Sequence, residues 1–214
     1  MSKIKIICTL GPKSVNRSLL KFFGNKINLL RLNLSHLTIN KLIQNIKFIK
    51  KNSIIPICID TEGAQIRTKV KKEKNYRSGQ YLKILDTGGN FRLYPKNVYS
   101  QLKVNDILNI GFSDLSIKVI NLKNKILCKV IKTGKLENNK GVYLKNRKIK
   151  LNYLTEKDFK AIEIGKKLNI NYFALSFTNS SSDITKFNKL LKNKNKIFKI
   201  ETLNAVKNFK SILK

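Results

Sequence analysis

The sequence predicts an α/β fold, namely a partial (β/α)8 TIM-type barrel of about five strand–helix units with a small all-β domain inserted into it. At both ends of the chain, short apolar runs alternate with helix-like segments roughly every 25 residues, close to the spacing in such barrels. In the middle, the pattern changes to short alternating strands. Polar and charged side chains follow several apolar runs, at the edge where parallel sheets bind ligands.

The first part of the barrel is expected to span residues 1–68. Its strands are predicted at 3–8, 28–33 and 54–59. Ser14 is expected to cap a helix that runs to about Phe23, because Ser is favoured at that position. A second helix is expected over about 39–51, where apolar residues recur at helical spacing.

The inserted all-β domain is expected over residues 69–150. Short runs at 81–85, 115–120 and 126–131 alternate apolar and polar residues, which is typical of half-buried strands. Turn signals at 87–90 and 121–124 separate these runs, which favours a small all-β domain inserted after the third strand.

The second part of the barrel is expected over residues 151–214. Thr155 and Asp158 have the spacing of a capping box, which predicts a helix starting there. Strands follow at 172–176 and 196–200, with a helix over 182–191 between them and a final amphipathic helix over 203–213. A closed barrel needs eight strands, so we expect exposed strand edges and either self-association or a second chain that completes the barrel.

The chain is strongly basic, with 45 Lys and Arg against 12 Asp and Glu, a formal net charge of +33. Such a charge would suit a nucleic-acid-binding protein. However, most of the positive charge comes from Lys spread along the whole chain, together with abundant Asn and Ile. A dedicated nucleic-acid surface would carry more Arg and stacking aromatics. We therefore attribute the charge to compositional bias and do not expect a nucleic-acid partner.

The cysteines and the hydrophobic runs favour a cytoplasmic protein. Cys8, Cys58 and Cys128 lie in strand-like runs without metal-binding spacing, so we expect buried, reduced thiols. The N-terminus lacks a long apolar signal segment, and no stretch approaches the ~18 apolar residues of a membrane span.

The side chains at the strand ends suit a phosphate and a metal ion. Arg31 could hold a phosphate through its planar fork. Lys199 and Glu201 lie two residues apart, which fits either an internal ion pair or a metal ligand beside a cation. His36, the only histidine, is better explained as a loop hydrogen-bonder than as a catalytic base. Four oxygen-bearing residues could surround a hard cation or simply make cap and turn hydrogen bonds: Asn33, Ser35, Asp60 and Thr61.

Seven short motifs, in the same order along the chain, resemble those of the pyruvate kinase family. They are CTLGPKS at 8–14, RLNLSH at 31–36, DTEGAQIRT at 60–68, TEKD at 155–158, ALSF at 174–177, KIE at 199–201 and VKNFKSIL at 206–213. The family patterns are C-T-x-G-P-x-S, R-[LM]-N-[FL]-S-H, D-T-K-G-P-E-I-R-T, S/T-E-K-D, A-x-S-F, K-I-E and V-x-N-F-x-x-I-L. Their order and their placement at strand ends make the combined resemblance specific.

The resemblance implies a phosphotransferase of glycolysis that converts phosphoenolpyruvate and ADP to pyruvate and ATP, with Mg²⁺ and K⁺ as cofactors. Arg31 would bind the substrate phosphate, Lys199 would stabilise the phosphoryl group and the forming enolate, and Glu201 would bind Mg²⁺. The implied K⁺ ligands are Asn33, Ser35, Asp60 and Thr61. The implied nucleotide contacts are Asn33, Ser35, His36, Arg67 and Lys140. The inserted domain would act as a lid that excludes water.

The sequence also departs from the family pattern. Glu62 stands where the family usually has Lys, which reverses a charge beside the expected cation site. The chain ends before the strand that carries the family motif R-G-D-L-G, whose Asp is the second Mg²⁺ carboxylate. Two alternatives therefore stay open: a catalytically impaired, truncated homologue that acts as a binding or partner subunit, and a metal-dependent pyruvate aldolase, whose I-E-T motif resembles residues 200–202.

Overall fold

The computed structural model describes residues 4–85, 88–111, 115–123, 125–145 and 147–213. In chain order the strands are β1 (Ile7–Thr9), β2 (Leu29–Asn33), β3 (Ile57–Asp60), β4 (Ile66–Lys69), β5 (Lys74–Tyr76), β6 (Tyr81–Ile84), β7 (Arg92–Tyr94), β8 (Ile107–Ile110), β9 (Leu115–Asn121), β10 (Ile126–Lys132), β11 (Gly134–Leu136), β12 (Gly141–Leu144), β13 (Tyr172–Leu175) and β14 (Asn195–Phe198). The helices are α1 (Arg17–Phe23), α2 (Ile39–Asn52), α3 (Glu156–Lys167), α4 (Ser181–Leu190), α5 (Leu203–Lys207) and α6 (Phe209–Ile212). Short 3-10 helices cover Leu34–His36 and Lys96–Gln101.

The chain divides into two compact units, one formed by Met1–Ala64 with Asn152–Lys214 and the other by Gln65–Leu151. The second unit begins earlier than the expected start at residue 69, because β4 pairs with β12 and β7 inside that unit. Lys3, where the first strand was predicted to begin, lies outside the described residues.

The first unit contains a five-stranded parallel sheet in the order β1-β2-β3-β13-β14. Its central strands are continuous apolar runs, as expected where helices cover a parallel sheet. Leu30, Leu32, Ile59, Phe173 and Leu175 are fully buried in its core. This sheet, with the antiparallel unit inserted after β3, confirms the predicted fold class.

Local hydrogen bonds explain where the helices of the first unit begin. α1 is capped by Asn16, whose side chain accepts from Leu19 N, and not by Ser14 as predicted. Ser14 Oγ instead accepts from Gly11 N at 2.7 Å and fixes the preceding turn. The capping box predicted for α3 is confirmed, because Thr155 and Asp158 exchange hydrogen bonds at its start.

Several predicted segments differ from the observed ones, and the first strand, predicted at 3–8, is observed as β1 at Ile7–Thr9. The strand predicted at 54–59 is β3, which starts after Pro56, because Ile54 is 94% exposed and proline cannot donate to a ladder. The helix predicted over 203–213 is two short helices, α5 and α6, which meet at Asn208. The Asn208 side chain donates to Asn179 O at 2.9 Å, a side-chain bond to the backbone that accompanies the break.

The second unit is built around a seven-stranded antiparallel sheet in the order β6-β10-β9-β8-β12-β4-β7. A bridge between Ile84 and Phe91 connects its two edges, so the sheet forms a nearly closed barrel. Alternate residues fill its core, including the fully buried Leu82, Leu108 and Ile117. Strands β5 and β11, which are distant in sequence, form a separate two-stranded antiparallel sheet. Across the described ranges, none of the helices combines the length and hydrophobicity of a membrane span.

Candidate active site

The carboxyl ends of β2, β3, β13 and β14 meet at one edge of the parallel sheet. Strand register places Asn33 beside Asp60 and Asp60 beside Ala174. Lys199 follows β14, and its backbone N–H donates to Leu175 O at 3.0 Å. Parallel pairing therefore brings together polar residues from four separate segments of the sequence.

Asp60 lies at the centre of this edge and is fully buried. Its Oδ2 accepts hydrogen bonds from Arg31 Nε at 2.8 Å and from Lys199 Nζ at 3.0 Å, and it also pairs with Arg31 Nη2. Its Oδ1 accepts from Ser176 Oγ at 3.0 Å. A buried carboxylate is costly unless it is paired, so these contacts stabilise its charge.

Arg31 and Lys199 are two cations paired with the one carboxylate of Asp60, and Glu201 supplies a second carboxylate near Lys199. Thr9 Oγ1 accepts from Arg31 Nη1 at 2.7 Å, so the guanidinium is held from two sides. Both cationic side chains remain about one-quarter exposed. Two cations that share one carboxylate oxygen and stay partly accessible can bind an anion such as a phosphate.

Glu201 flanks this cluster and forms a looser ion pair with Lys199 than Asp60 does. Its Oε1 lies 3.6 Å from Lys199 Nζ, and its Oε2 accepts from Phe177 N at 3.0 Å. Phe177 has a φ of +53°, an uncommon conformation for a residue other than glycine. The predicted strand 196–200 ends at Phe198, so Lys199 and Glu201 both lie in the segment beyond it.

The loop after β3 packs tightly against the end of β13. The Ser176 hydroxyl shares its single proton between Thr61 O at 2.6 Å and Asp60 Oδ1 at 3.0 Å, and Ser176 N donates to Thr61 Oγ1 at 3.0 Å. Gly63 has a φ of +67°, and a Cβ there would lie 2.3 Å from Ser176 O. Both the backbone conformation and the available space therefore require glycine at this position.

The charge reversal at Glu62 is compensated within the structure. Glu62 is 3% exposed, and its Oε1 accepts from Lys157 Nζ at 2.8 Å. Asp158 accepts from Glu62 N at 2.7 Å, Gly63 N at 3.1 Å and Thr155 N at 2.9 Å. Burial raises the pKa of Asp158 above its ordinary value, although these three N–H donors oppose the shift.

The oxygen atoms at this edge fit hard cations. Asn33, Ser35, Asp60 and Thr61 offer amide, hydroxyl, carboxylate and carbonyl oxygens, which are ligands for such ions. Glu201 fits Mg²⁺, which proteins commonly bind through one or two carboxylates and substrate phosphates. Within the described ranges, no group of three or more His, Cys, Asp or Glu residues could hold a metal by itself.

A groove of about 320 Å³ opens beside the 3-10 turn that follows β2. Its lining includes Pro12, His36, Lys41, Asn45 and Phe48. A mixed apolar and polar lining of this kind suits a small organic ligand. His36, predicted as a nucleotide contact, thus lies at a concave surface of the first unit.

The other two predicted nucleotide contacts belong to the second unit. Arg67 lies on β4 opposite Gly141, and its Nη1 donates to Asn139 O at 3.1 Å. Lys140 Nζ lies 3.1 Å from Glu137 Oε2 and is 42% exposed. Strand pairing therefore places Arg67 and the segment around Lys140 together within this unit.

Four residues that hold the site together were not predicted to belong to it: Thr9, Lys157, Asp158 and Ser176. Thr9 and Ser176 lie at strand ends and within two of the recognised motifs, so the sequence could have indicated that they belong to the site. Asp158 was recognised only as a helix cap. The contact between Lys157 and Glu62 had no local signal, because it joins residues far apart in sequence.

Comparisons with known proteins agree on one family. A family model described as "Pyruvate kinase, barrel domain" matches residues 1–214. Pyruvate kinase from Dictyostelium discoideum is 32% identical over 99% of this chain and 46% of its own length. Pyruvate kinase from Staphylococcus epidermidis is 31% identical over the whole chain and 40% of its own length. The crystal structure of Cryptosporidium parvum pyruvate kinase superposes with a TM-score of 0.87 at 26% identity, covering 97% of this chain and 49% of that one. The chain thus spans about half the length of these proteins.

Proposed function

Because the chain belongs to the pyruvate kinase family, we propose that the edge of its parallel sheet binds phosphoenolpyruvate and takes part in phosphoryl transfer to ADP, the step that yields pyruvate and ATP in glycolysis. The observation that carries this proposal is the convergence of Arg31 and Lys199 on Asp60 Oδ2. Phosphoryl transfer depends mainly on positioning and on positive charge around the transferred oxygens.

In this proposal, Arg31 orients the substrate phosphate with its fork, and Lys199 stabilises the transferred phosphoryl group and the enolate oxygen. Asp60 holds the Arg31 guanidinium and the Lys199 ammonium group close together, because both donate to the same Asp60 oxygen. Ser176 in turn fixes the Asp60 carboxylate through its hydroxyl group. The cluster is thereby preorganised before substrate binds.

Two cations complete the proposed site. Glu201 would hold Mg²⁺, and the K⁺ ligands would be Asn33, Ser35, Asp60 and Thr61. When bound, these ions would add positive charge that stabilises the phosphoryl oxygens. The turn that carries two of these ligands is fixed by a hydrogen bond, because Asn33 Oδ1 accepts from Ser35 N at 3.0 Å.

The nucleotide is proposed to contact Asn33, Ser35 and His36, with the groove beside His36 as the site for its base. Arg67 and Lys140 of the second unit would bind its phosphates. The proposed domain organisation is a barrel in two parts, with the inserted domain as a lid. A cytoplasmic location is proposed because the three cysteines are free thiols.

Substrate binding and turnover by the purified chain test this proposal. Calorimetric titration with phosphoenolpyruvate in Mg²⁺ and K⁺ should show binding, and a coupled assay with ADP measures pyruvate formation. The variant Lys199→Met should lose both. Lys196→Met is the matched control, because Lys196 lies on β14, just before Lys199 in the chain, but its Nζ donates to Leu191 O, away from the site. Equal binding by the two variants would contradict the role of Lys199.

A second candidate, a binding or partner subunit, is supported by the edges of the parallel sheet. β1 and β14 each pair on one side only within the described sheet. Ile7 on β1 is 50% exposed, and Leu203 and Val206 beyond β14 are 82% and 61% exposed. Unpaired edges beside exposed apolar residues favour association with a second copy or another chain. Sedimentation of the purified chain tests this, and a monomer at all concentrations would contradict it.

A further inference from the structure

One side chain reaches both loops that carry the proposed K⁺ ligands. Lys157 Nζ donates to Leu34 O, in the turn between Asn33 and Ser35, and to Glu62 Oε1, in the loop after Asp60. The Lys157 side chain is about one-quarter exposed, whereas Glu62 is 3% exposed. The bridge is therefore largely shielded from water, where hydrogen bonds to charged groups contribute most.

The position of Lys157 in its own helix is electrostatically unfavourable. It is the second residue of α3, close to the positive end of the helix dipole, where acidic side chains are preferred. The Glu62 carboxylate and the Leu34 carbonyl offset this cost, because both present negative charge to the ammonium group. The cation at this position is thus stabilised by the two loops and not by its helix.

The hydrogen bonds that Thr155 and Asp158 make at the start of α3 reach the loop after β3. Asp158 accepts from Glu62 N and Gly63 N, and Thr155 Oγ1 donates to Glu62 Oε2 at 3.2 Å. These bonds fix the loop after β3 to the start of α3. The hydrogen bond from Lys157 to Leu34 O also connects the start of α3 to the turn after β2.

We propose that Lys157, with Glu62 as its counter-charge, is a positioning residue that couples residues 33–36 to residues 60–63 and so sets the spacing of the two halves of the cation site. This inference rests on the proposed function for its cation, but the mechanical coupling can be measured without any ligand. It also assigns a role to Glu62, whose charge is opposite to the one expected from the family pattern.

Hydrogen exchange tests the coupling directly. The double variant Lys157→Met/Glu62→Gln removes both charges and keeps the side-chain sizes, so neither partner is left as an unpaired buried charge. Amide exchange should become about ten- to a hundredfold faster both at Ser35 and Leu37 and at Glu62 and Gly63, as expected from losing a hydrogen bond to a charged group. Unchanged exchange in either loop would overturn the coupling.

The matched control is Lys166→Met on the same helix. Lys166 Nζ pairs with Glu163 at 3.0 Å on the surface, three residues away. Such exposed pairs contribute little, so exchange in both loops should stay at the wild-type rate. Faster exchange in this control would mean that any loss of charge on α3 loosens the loops, and would also overturn the specific role of Lys157.

A cation titration separates this inference from the proposed function. The thermal unfolding midpoint is followed while KCl replaces tetramethylammonium chloride at constant ionic strength. K⁺ should stabilise the wild-type chain, and the double variant should need about tenfold more K⁺ for the same shift, which matches the loss of one charged hydrogen bond. No stabilisation of the wild type would contradict the proposed cation site and leave the exchange result to decide the coupling. Equal stabilisation of both chains would contradict the role of Lys157 in cation binding.

Discussion

Gly63 offers the sharpest quantitative test of how the site is packed. The change is Gly63→Ala, which adds one methyl group in the loop after β3. Its Cβ would lie 2.3 Å from Ser176 O and 2.8 Å from Ser176 C, both of which are backbone atoms. Because backbone cannot rotate away as a flexible side chain can, the loop or the end of β13 must shift.

The cost has two parts that can be separated. The left-handed conformation at φ +67° costs about 1–2 kcal/mol for a residue with a Cβ. Overpacking adds about 1–3 kcal/mol, as measured for extra methylenes in well-packed cores. We therefore expect the free energy of unfolding to fall by about 2–5 kcal/mol. Binding of phosphoenolpyruvate should weaken as well, because Ser176 also holds Asp60.

Urea unfolding followed by the helical circular dichroism signal provides the measurement, since all the described α-helices belong to the first unit. Gly24→Ala is the control in the same unit. Gly24 also has a positive φ, +42°, but the nearest atom to an added Cβ is 3.6 Å away. With a slope of about 1–3 kcal/mol per M, the extra cost at Gly63 should lower the urea midpoint by roughly a further 1 M. Equal midpoints for the two variants would refute the steric argument.

Three further predictions concern buried titratable groups. Burial raises the pKa of Cys58 to about 12, so a thiolate-specific reagent at neutral pH should label it only after unfolding; labelling in the native state would contradict its burial. Asp158→Ala leaves three backbone donors without their acceptor and should lower the free energy of unfolding by about 2–4 kcal/mol. The control Asp183→Ala, in the half-buried capping box of α4, should lower it by about 1 kcal/mol. Equal losses in the two variants would contradict the role of Asp158 in holding the loop after β3. Because burial raises the pKa of Asp158 in the folded state, its contribution to stability should be greatest below the ordinary carboxyl pKa and decline as pH rises through the raised value; unfolding curves at several pH values should show this decline in the wild type and not in Asp158→Ala.

The outline of the fold could be predicted from sequence because its signals are local. Continuous apolar runs gave the strands of the parallel sheet, alternating runs gave the inserted β unit, and the spacing of Thr155 and Asp158 gave the start of α3. The errors lie at element ends. Ser14 and Asn16 are both good caps, and only the hydrogen bonds show that Asn16 caps α1 while Ser14 closes a turn.

Part of the candidate site could be predicted because the carboxyl ends of parallel strands lie at the same edge of a sheet. That rule brought Arg31, Asp60 and Lys199 together, as the structure shows. It could not show that Arg31 and Lys199 both donate to the same oxygen of Asp60. Nor could it show that Lys157 neutralises Glu62, because this depends on how α3 packs against a loop from a distant part of the sequence.

The insertion after β3 has a consequence for the order of folding. β3 and β13 pair in parallel although the whole second unit lies between them in the chain. Within that unit, the first strand pairs with the last, since β4 lies beside β12. Once this pairing forms, the effective loop between β3 and β13 is about three- to fourfold shorter, which lowers its closure cost by about 1 kcal/mol. A unit that folds early, from local antiparallel contacts, would thus speed the pairing of the two halves of the parallel sheet.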